Sequence, residues 1–335
     1  MAIVLDAMGS DQYPDPEVHA AVQIARESGE EIILVGNTAV VEPKLKALNP
    51  GSLPIRLVHA DEMIEMEEHA VEAVKRKPNN SMAVGMRLVK SGEASAFVTA
   101  GNTGGAYFNA VANLRRMSGI SRPALTTPIP TRTGSAIFID NGANADCRPE
   151  FLLEFGLMGH VYANKVLGLS APRIGLLSNG EEEGKGSQLV KDAYPLLASS
   201  GLNFIGNVEP KEVFAGAADV IVSDGFTGNV FIKTSEAVAK LITDILKEGI
   251  QASWLRKLGY LFVKPAFGPL KSKLDPAEIG AALLIGVNGL VFIGHGRSDA
   301  RALCSAIRRA QRAAQSDLMS ALHNAIQERA AASGA

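Results

Sequence analysis

Residues 219–229 read Asp219-Val220-Ile221-Val222-Ser223-Asp224-Gly225-Phe226-Thr227-Gly228-Asn229. Val220, Ile221 and Val222 form a β-branched run of the kind that fills a buried strand. Asp224 and Gly225 break it. From Gly228 onward apolar residues recur at helical spacing, through Ile232, Ala239, Ile242 and Leu246. A strand therefore ends in a polar, glycine-rich turn that opens a helix. In open α/β sheets ligands bind at such carboxyl ends of strands, and helix amides exposed there attract anions.

The same unit recurs in both directions from this stretch. Strands are expected at residues 2–5, 32–35, 55–58, 96–99, 136–139, 174–177, 204–208 and 291–293. Helical spacing follows most of them. Asp15 is expected to cap a helix that Pro16 starts and that runs to Ser28, Asn37 or Thr38 caps the next, Ser81 caps a third, and Pro149 starts a fourth. Ser298 is expected to cap one long C-terminal helix with Leu303, Ile307, Ala310, Leu318, Leu322 and Ile326 on its apolar face. Residues 60–68 are acidic and irregular. Alternation of this kind implies an α/β fold, a mainly parallel sheet with helices on both faces. No repeat or linker interrupts it, so residues 1–330 are expected to form one domain, with 331–335 a frayed tail.

Composition narrows the function classes. The chain has 335 residues, 47% apolar and 20% charged, as suits a soluble protein with a large core. Its net charge of −2 gives no whole-chain field that favours nucleic acid. Cys147 and Cys304 make neither a disulfide framework nor a zinc spacing, which fits a reducing cytoplasm. No uncharged apolar run reaches the roughly 18 residues of a membrane span.

Five polar turns carry the candidate chemistry: residues 6–11, 101–105, 140–144, 179–186 and 224–229. In a parallel sheet all five open on one edge. Glycine admits close backbone approach, and Asn supplies donors and acceptors without net charge. Lys185, between Gly184 and Gly186 and just before a helix, is the cation placed to meet a phosphate, or else a solvated surface lysine. Residues 184–187 echo part of a P-loop without its upstream glycine frame, so an ATPase is rejected. A Gly-x-Ser-x-Gly elbow, a dinucleotide turn after the first strand and metal-ligand histidine spacing are all missing. Cys147 reads as a bystander thiol and His295 as structural.

Residues 250–274 differ in character. They hold Trp254, Leu255, Leu258, Tyr260, Leu261, Phe262, Val263 and Phe267. Their charges are Arg256, Lys257, Lys264, Lys271 and Lys273, with no acid. Apolar and basic together, the segment suits an anionic membrane surface, with Trp254, Leu258, Leu261 and Phe262 as contacts, or a partner interface.

Taken with Arg122-Pro123-Ala124 and Gly206-Asn207-Val208-Glu209, the turns resemble the PlsX family of bacterial phosphate acyltransferases, in order and over nearly the whole chain. Ser10 stands where that family usually has a second glycine, and Tyr13 where a small residue is common. The resemblance implies a Rossmann-like α/β/α sandwich related to isopropylmalate dehydrogenases and phosphotransacetylases, and a homodimer. It implies reversible transfer of a long-chain acyl group from acyl-acyl carrier protein to inorganic phosphate. The acyl phosphate would pass to a membrane glycerol-phosphate acyltransferase for phospholipid synthesis, at the inner face of the membrane.

Phosphate is already a nucleophile, so positioning and fixed dipoles supply most of such catalysis, with neither metal nor organic cofactor. On this reading Lys185 and the amides of Asn102, Thr103 and Gly104 hold phosphate. Asn229 and Asn179 polarise the thioester carbonyl or order the phosphate. Asp224, Asp140 and Asn144 orient them, and Gly9 and Gly180 give backbone access. The rival readings are a phosphotransacetylase acting on acyl-CoA, a metal- and NAD-dependent decarboxylating dehydrogenase, and a non-catalytic membrane adaptor built on residues 250–274.

Overall fold

The computed structural model describes the backbone of residues 1–274 and 276–333, and side chains within 1–265 and 277–331. Phe267, Lys271 and Lys273 therefore lie outside the described side chains, and residues 334–335 outside the described chain.

The first half runs β1 (Ile3–Asp6), α1 (Asp15–Ser28), β2 (Ile32–Gly36), α2 (Thr38–Ala47), β3 (Ile55–His59), α3 (Ala70–Arg76), α4 (Ser81–Lys90), β4 (Ala96–Thr99) and α5 (Thr103–Asn113). A hairpin follows, β5 (Ala124–Thr131) and β6 (Gly134–Ile139), then α6 (Pro149–Leu167), β7 (Ile174–Leu177), α7 (Gln188–Ala198), β8 (Phe204–Val208), α8 (Pro210–Ala215) and β9 (Val220–Val222). The chain ends with α9 (Gly225–Gln251), α10 (Trp254–Leu274), α11 (Pro276–Ile279), β10 (Ala281–Ile285), β11 (Leu290–Gly294), α12 (Ala300–Gln315) and α13 (Leu318–Ser333).

The eleven strands of the described residues form one sheet in the order β3-β2-β1-β4-β11-β10-β5-β6-β9-β7-β8. Seven pairings are parallel. The three centred on β10 and β5, namely β11·β10, β10·β5 and β5·β6, are antiparallel. Successive side chains of a strand point to opposite faces, and the core divides accordingly. Ile3 and Leu5 pack with α1, α6 and α12 on one face. Val4, Ile33 and Phe97 pack with α4 and α5 on the other, and Phe138 and Ile221 form a third cluster with Val213 of α8.

β5 and β10 are strands that propensity did not reveal, and they change the geometry. Strands β1 to β4 and β11 run one way; β6, β7, β8 and β9 run the other. The turns after β1 and β4 therefore open on one edge of the sheet, and those after β6, β7 and β9 on the opposite edge. The single-edge expectation is corrected to this extent. Pro128 and Pro130 hid β5, since proline cannot donate to a ladder. β10 pairs with Ala124, Leu125 and Thr126 and stops there, so both prolines sit where β5 parts from it.

Four boundaries also differ from expectation. α1 begins at Asp15 itself, after Pro14, and no side chain caps it. Asn80 rather than Ser81 caps α4, accepting the Ala83 amide at 3.0 Å. Asp299 rather than Ser298 caps α12, accepting from Ala302 at 2.9 Å. The long C-terminal helix is two helices, broken at Asp317, whose φ is +54°.

Candidate active site

The gap where β5 leaves β10 is the floor of a trough of about 850 Å³. Pro128, Ile129 and Pro130 line it from β5, Ala281 and Ala282 from β10, and Ile293 from β11. One wall is α9, which contributes residues from Asn229 to Ile242. At 1.5 Å per residue that wall is about 20 Å long. The surface is largely apolar, closed by Phe214 and Phe231, whose rings stack at 5.5 Å. Polar groups enter at particular points: Thr103 at the start of α5, Asn141 and Gly142 from the turn after β6, Asn229 and Lys233 from α9, and His295 after β11. The trough thus links turns that open on opposite edges.

The turns are held by their own side chains. In the first, Asp6 is fully buried; its carboxylate accepts the Met8 amide at 3.1 Å and the Thr99 hydroxyl at 2.7 Å. Burial raises its pKa, against the pull of those hydrogen bonds. Gly9 presses on the second turn, where a Cβ would stand 2.8 Å from the Gly101 nitrogen. Asn102 caps α5 by accepting from the Gly105 amide at 2.9 Å. Its amino group donates to the carbonyls of Glu65, Met66 and Glu68 at 3.0–3.2 Å. Its side chain thus ties the acidic connection to the helix start. The residues beside it, exposed Thr103 and half-buried Gly104, present the first amides of α5.

On the opposite edge, Asp140 organises the third turn. It accepts from the amides of Leu125, Gly142, Ala143 and Asn144 and from the Asn144 side chain, all at 2.8–3.1 Å. Burial raises this carboxyl too, with the hydrogen bonds opposing. Asn144 also donates to the Pro123 carbonyl at 2.7 Å. The fifth turn docks on the third: the Gly225 amide donates to the Asn144 carbonyl at 2.7 Å, and Asp224 caps α9 by accepting from Thr227 at 2.8 Å. Gly142, with φ +144°, leaves room for Asn229; a Cβ there would lie 3.3 Å from the Asn229 side-chain nitrogen, Nδ2. The functional carboxylates and caps of the sequence reading thus hold backbone, while Asn229 faces the trough.

The fourth turn sits one strand outward, beyond β9. Register sets Leu176 of β7 level with Val222 of β9, so Asn179 begins its turn beside that of Asp224. Lys185 curls back over Gly180, its Cγ 2.8 Å from where a Gly180 Cβ would be. Its amide donates to the Glu182 carbonyl at 2.9 Å, and that carbonyl also accepts from Asn207 at 2.8 Å. Asn179 and Lys185 are exposed, and with Gly180 they stand outside the trough lining. Glu181 pairs with Lys211 at 3.2 Å rather than with Lys185.

Lys233, Glu236 and His295 are trough residues that the sequence reading did not assign. Burial lowers the His295 pKa, opposed by Glu236 and reinforced by Arg297 and Lys233, so the ring is neutral near pH 7. Asn229 and Lys233 are four residues apart, which put them on one helix face; that spacing was the available signal. Cys147 is half-buried, and burial pushes its thiol up to about 12, as befits a bystander.

Solved structures with this fold include a phosphotransacetylase from Staphylococcus aureus, with TM-score 0.60, 18% identity and 94% of each chain covered. A 4-hydroxythreonine-4-phosphate dehydrogenase from Klebsiella pneumoniae gives TM-score 0.57 at 15% identity, covering 94% of this chain and 99% of that one. At such identities the likeness defines the class of fold, a Rossmann-like α/β/α sandwich.

Sequence goes further. Residues 1–321 match the family described as "Fatty acid synthesis protein". A phosphate acyltransferase of Pelotomaculum thermopropionicum is 45% identical over 327 residues, covering 98% of this chain and 95% of that protein. One from Thermus thermophilus is 46% identical over 320 residues, covering 95% and 96%. The chain belongs to this PlsX family of phosphate acyltransferases, and is an enzyme of the acyltransferase class.

Proposed function

We propose that the protein transfers a long-chain fatty acyl group reversibly from acyl-acyl carrier protein to inorganic phosphate, giving acyl phosphate for phospholipid synthesis. The observation that carries this reading is the trough: a long apolar channel with amide and hydroxyl groups at defined points along its walls. A fatty chain lies along α9 with its tail toward Ile242. Its thioester carbonyl rests at Asn229, beside Asn141 and Gly142. A phosphate oxygen attacks the carbonyl carbon, negative charge gathers on the former carbonyl oxygen, which accepts a hydrogen bond from the Asn229 side-chain amide, and the C–S bond breaks to release the carrier thiolate, which takes up a proton from the phosphate or solvent. Fixed donors aimed at the oxyanion stabilise it without reorganisation.

Phosphate arrives from the sheet edge, where Asn179 and Lys185 stand one strand away. Thr103 and the Gly104 amide close the wall opposite α9. Gly9, Gly180, Asn102, Asp140, Asn144 and Asp224 set the backbone that presents these groups.

The exposed hairpin of α9 and α10 brings the enzyme to an anionic membrane surface on the cytoplasmic side. It places the product near a membrane glycerol-phosphate acyltransferase. No helix among the described residues is long and apolar enough to cross a membrane. A homodimer is part of this reading.

Mass spectrometry of a mixture of enzyme, phosphate and long-chain acyl carrier protein tests the whole. Acyl phosphate must appear, and faster than from acyl-CoA. Faster turnover of acyl-CoA would make the enzyme a phosphotransacetylase instead.

A further inference from the structure

Behind the wall formed by α5 and the turn after β6 lies a second cavity, of about 690 Å³. Its character is opposite to that of the trough. Three arginines line it, Arg116, Arg122 and Arg148. None of the three pairs with a carboxylate among the described residues. Asp146 is the carboxylate in the lining. In a chain of net charge −2 this is a concentrated cationic site.

The arginines have different anchors. Arg116 donates to the Ser121 carbonyl. Arg122 lies close enough to the Tyr107 hydroxyl for its charge to oppose the rise that burial gives the phenol pKa. Arg148 is the residue before α6 and makes no capping bond with its side chain. Phe108 and Phe151 supply apolar wall. The two cavities share their partition: α5 gives Thr103 to the trough and Tyr107 and Phe108 to the second cavity. Likewise the loop after β6 gives Asn141 and Gly142 to one and Cys147 and Arg148 to the other. A cation cluster free of carboxylate partners, concave and adjacent to the proposed thioester seat, has the chemistry of a phosphoanion site.

We propose that the pocket of Arg116, Arg122 and Arg148 holds the phosphate group on the thiol-bearing arm of the acyl donor, outside the trough. This rests on the reading that the donor is an acyl thioester carried on a phosphorylated arm. It assigns the arginines to the donor's phosphate and leaves inorganic phosphate to the edge near Asn179 and Lys185. The Phe108 and Phe151 walls cover the uncharged part of the arm.

The test is calorimetric titration of the full-length enzyme with 4′-phosphopantetheine and with pantetheine, which lacks the phosphate. The wild type binds the phosphorylated arm at least about tenfold more tightly, the scale of one charge-assisted hydrogen bond. Arg122→Gln and Arg148→Gln each lower affinity for the phosphorylated arm toward that for pantetheine. Arg148→Gln, with no internal bond to lose, separates this from misfolding, and thermal melting checks both. In turnover, both variants raise the KM for the phosphorylated donor and not the KM for inorganic phosphate.

Equal binding of the two arms by the wild type overturns the proposal. So does a preference that survives both substitutions, or a rise in the KM for inorganic phosphate alone, which would make this the seat of the free anion. Because binding is measured without turnover, failure to form acyl phosphate would sink the reaction assignment and leave this result standing.

Discussion

Glu17 lies buried on α1 beneath the first turn, where it accepts the Ser10 amide at 2.9 Å. Burial pushes its carboxyl up to about 7 from 4.5; the Ser10 hydrogen bonds oppose this and the nearby Asp6 adds slightly. The folded state therefore keeps a proton that the unfolded chain releases near pH 4.5. Stability falls as pH rises from about 4.5 to about 7, and the whole penalty is present above that. A shift of this size is worth on the order of 3 kcal/mol. Glu17→Gln keeps an acceptor for Ser10 and cannot ionise. Denaturant midpoints of variant and wild type should converge at pH 4.5, while at pH 8 the variant should be the more stable. An equal gap at both pH values would mean that Glu17 is not the titrating group.

Asn229 and Lys185 are tested by rate. Removing one oxyanion donor costs about 10²–10³ in kcat, so Asn229→Ala should lose that much acyl phosphate formation with an unchanged melting temperature. Lys185→Ala should raise the KM for phosphate at least about tenfold, by loss of a charge-assisted contact. Wild-type kinetics in Lys185→Ala would remove that loop from the site and leave phosphate to Lys233 and His295.

At the scale of elements, the exposed face of α10 is the informative one. Trp254, Leu258, Leu261 and Phe262 recur at helical spacing, and the last is 81% exposed. Arg256, Lys257 and Lys264 flank them. Phe262→Glu with Leu261→Glu should abolish co-sedimentation with anionic vesicles and leave turnover of carrier-linked donor in solution intact. Loss of both would tie the hairpin to the fold rather than to a lipid surface.

Element by element, the parallel units were legible because each pairs a β-branched run with a turn and an amphipathic helix. β4, β7 and β8 fall at their expected residues. β5 was hidden by its two prolines, and β10 by an Ala-Ala-Leu-Leu-Ile stretch that reads equally as helix. Those two strands alone reverse half the sheet. The cost was in the site: the turns were recognised, but the floor between them and the residues Lys233 and His295 were not. No local pattern reports that β5 and β10, some 150 residues apart in sequence by rough count, run side by side and then diverge.

At the scale of the molecule, α9 leaves an apolar face uncovered beyond the sheet. Leu241 and Ile245 are each 58% exposed, with Val238 and Ile242 beside them. Fully burying such a side chain stabilises by about 1.5–3 kcal/mol, and roughly half of each is already covered. Eight of them, four from each of two copies, then contribute on the order of 10 kcal/mol. That is comparable with the 4–15 kcal/mol that association costs. A dimer built on these four residues alone would be weak, so Leu246, also exposed on α9, must add area to make it tight. Sedimentation velocity at micromolar concentration should therefore show a dimer. Leu241→Glu with Ile245→Glu places four carboxylates in the contact and should give a monomer that still melts cooperatively. Since Val238 and Ile242 lie on the same stretch of α9 and also line the trough, the monomer should bind long acyl chains less tightly than short ones. A variant that stays dimeric would move the interface elsewhere and free this face for lipid.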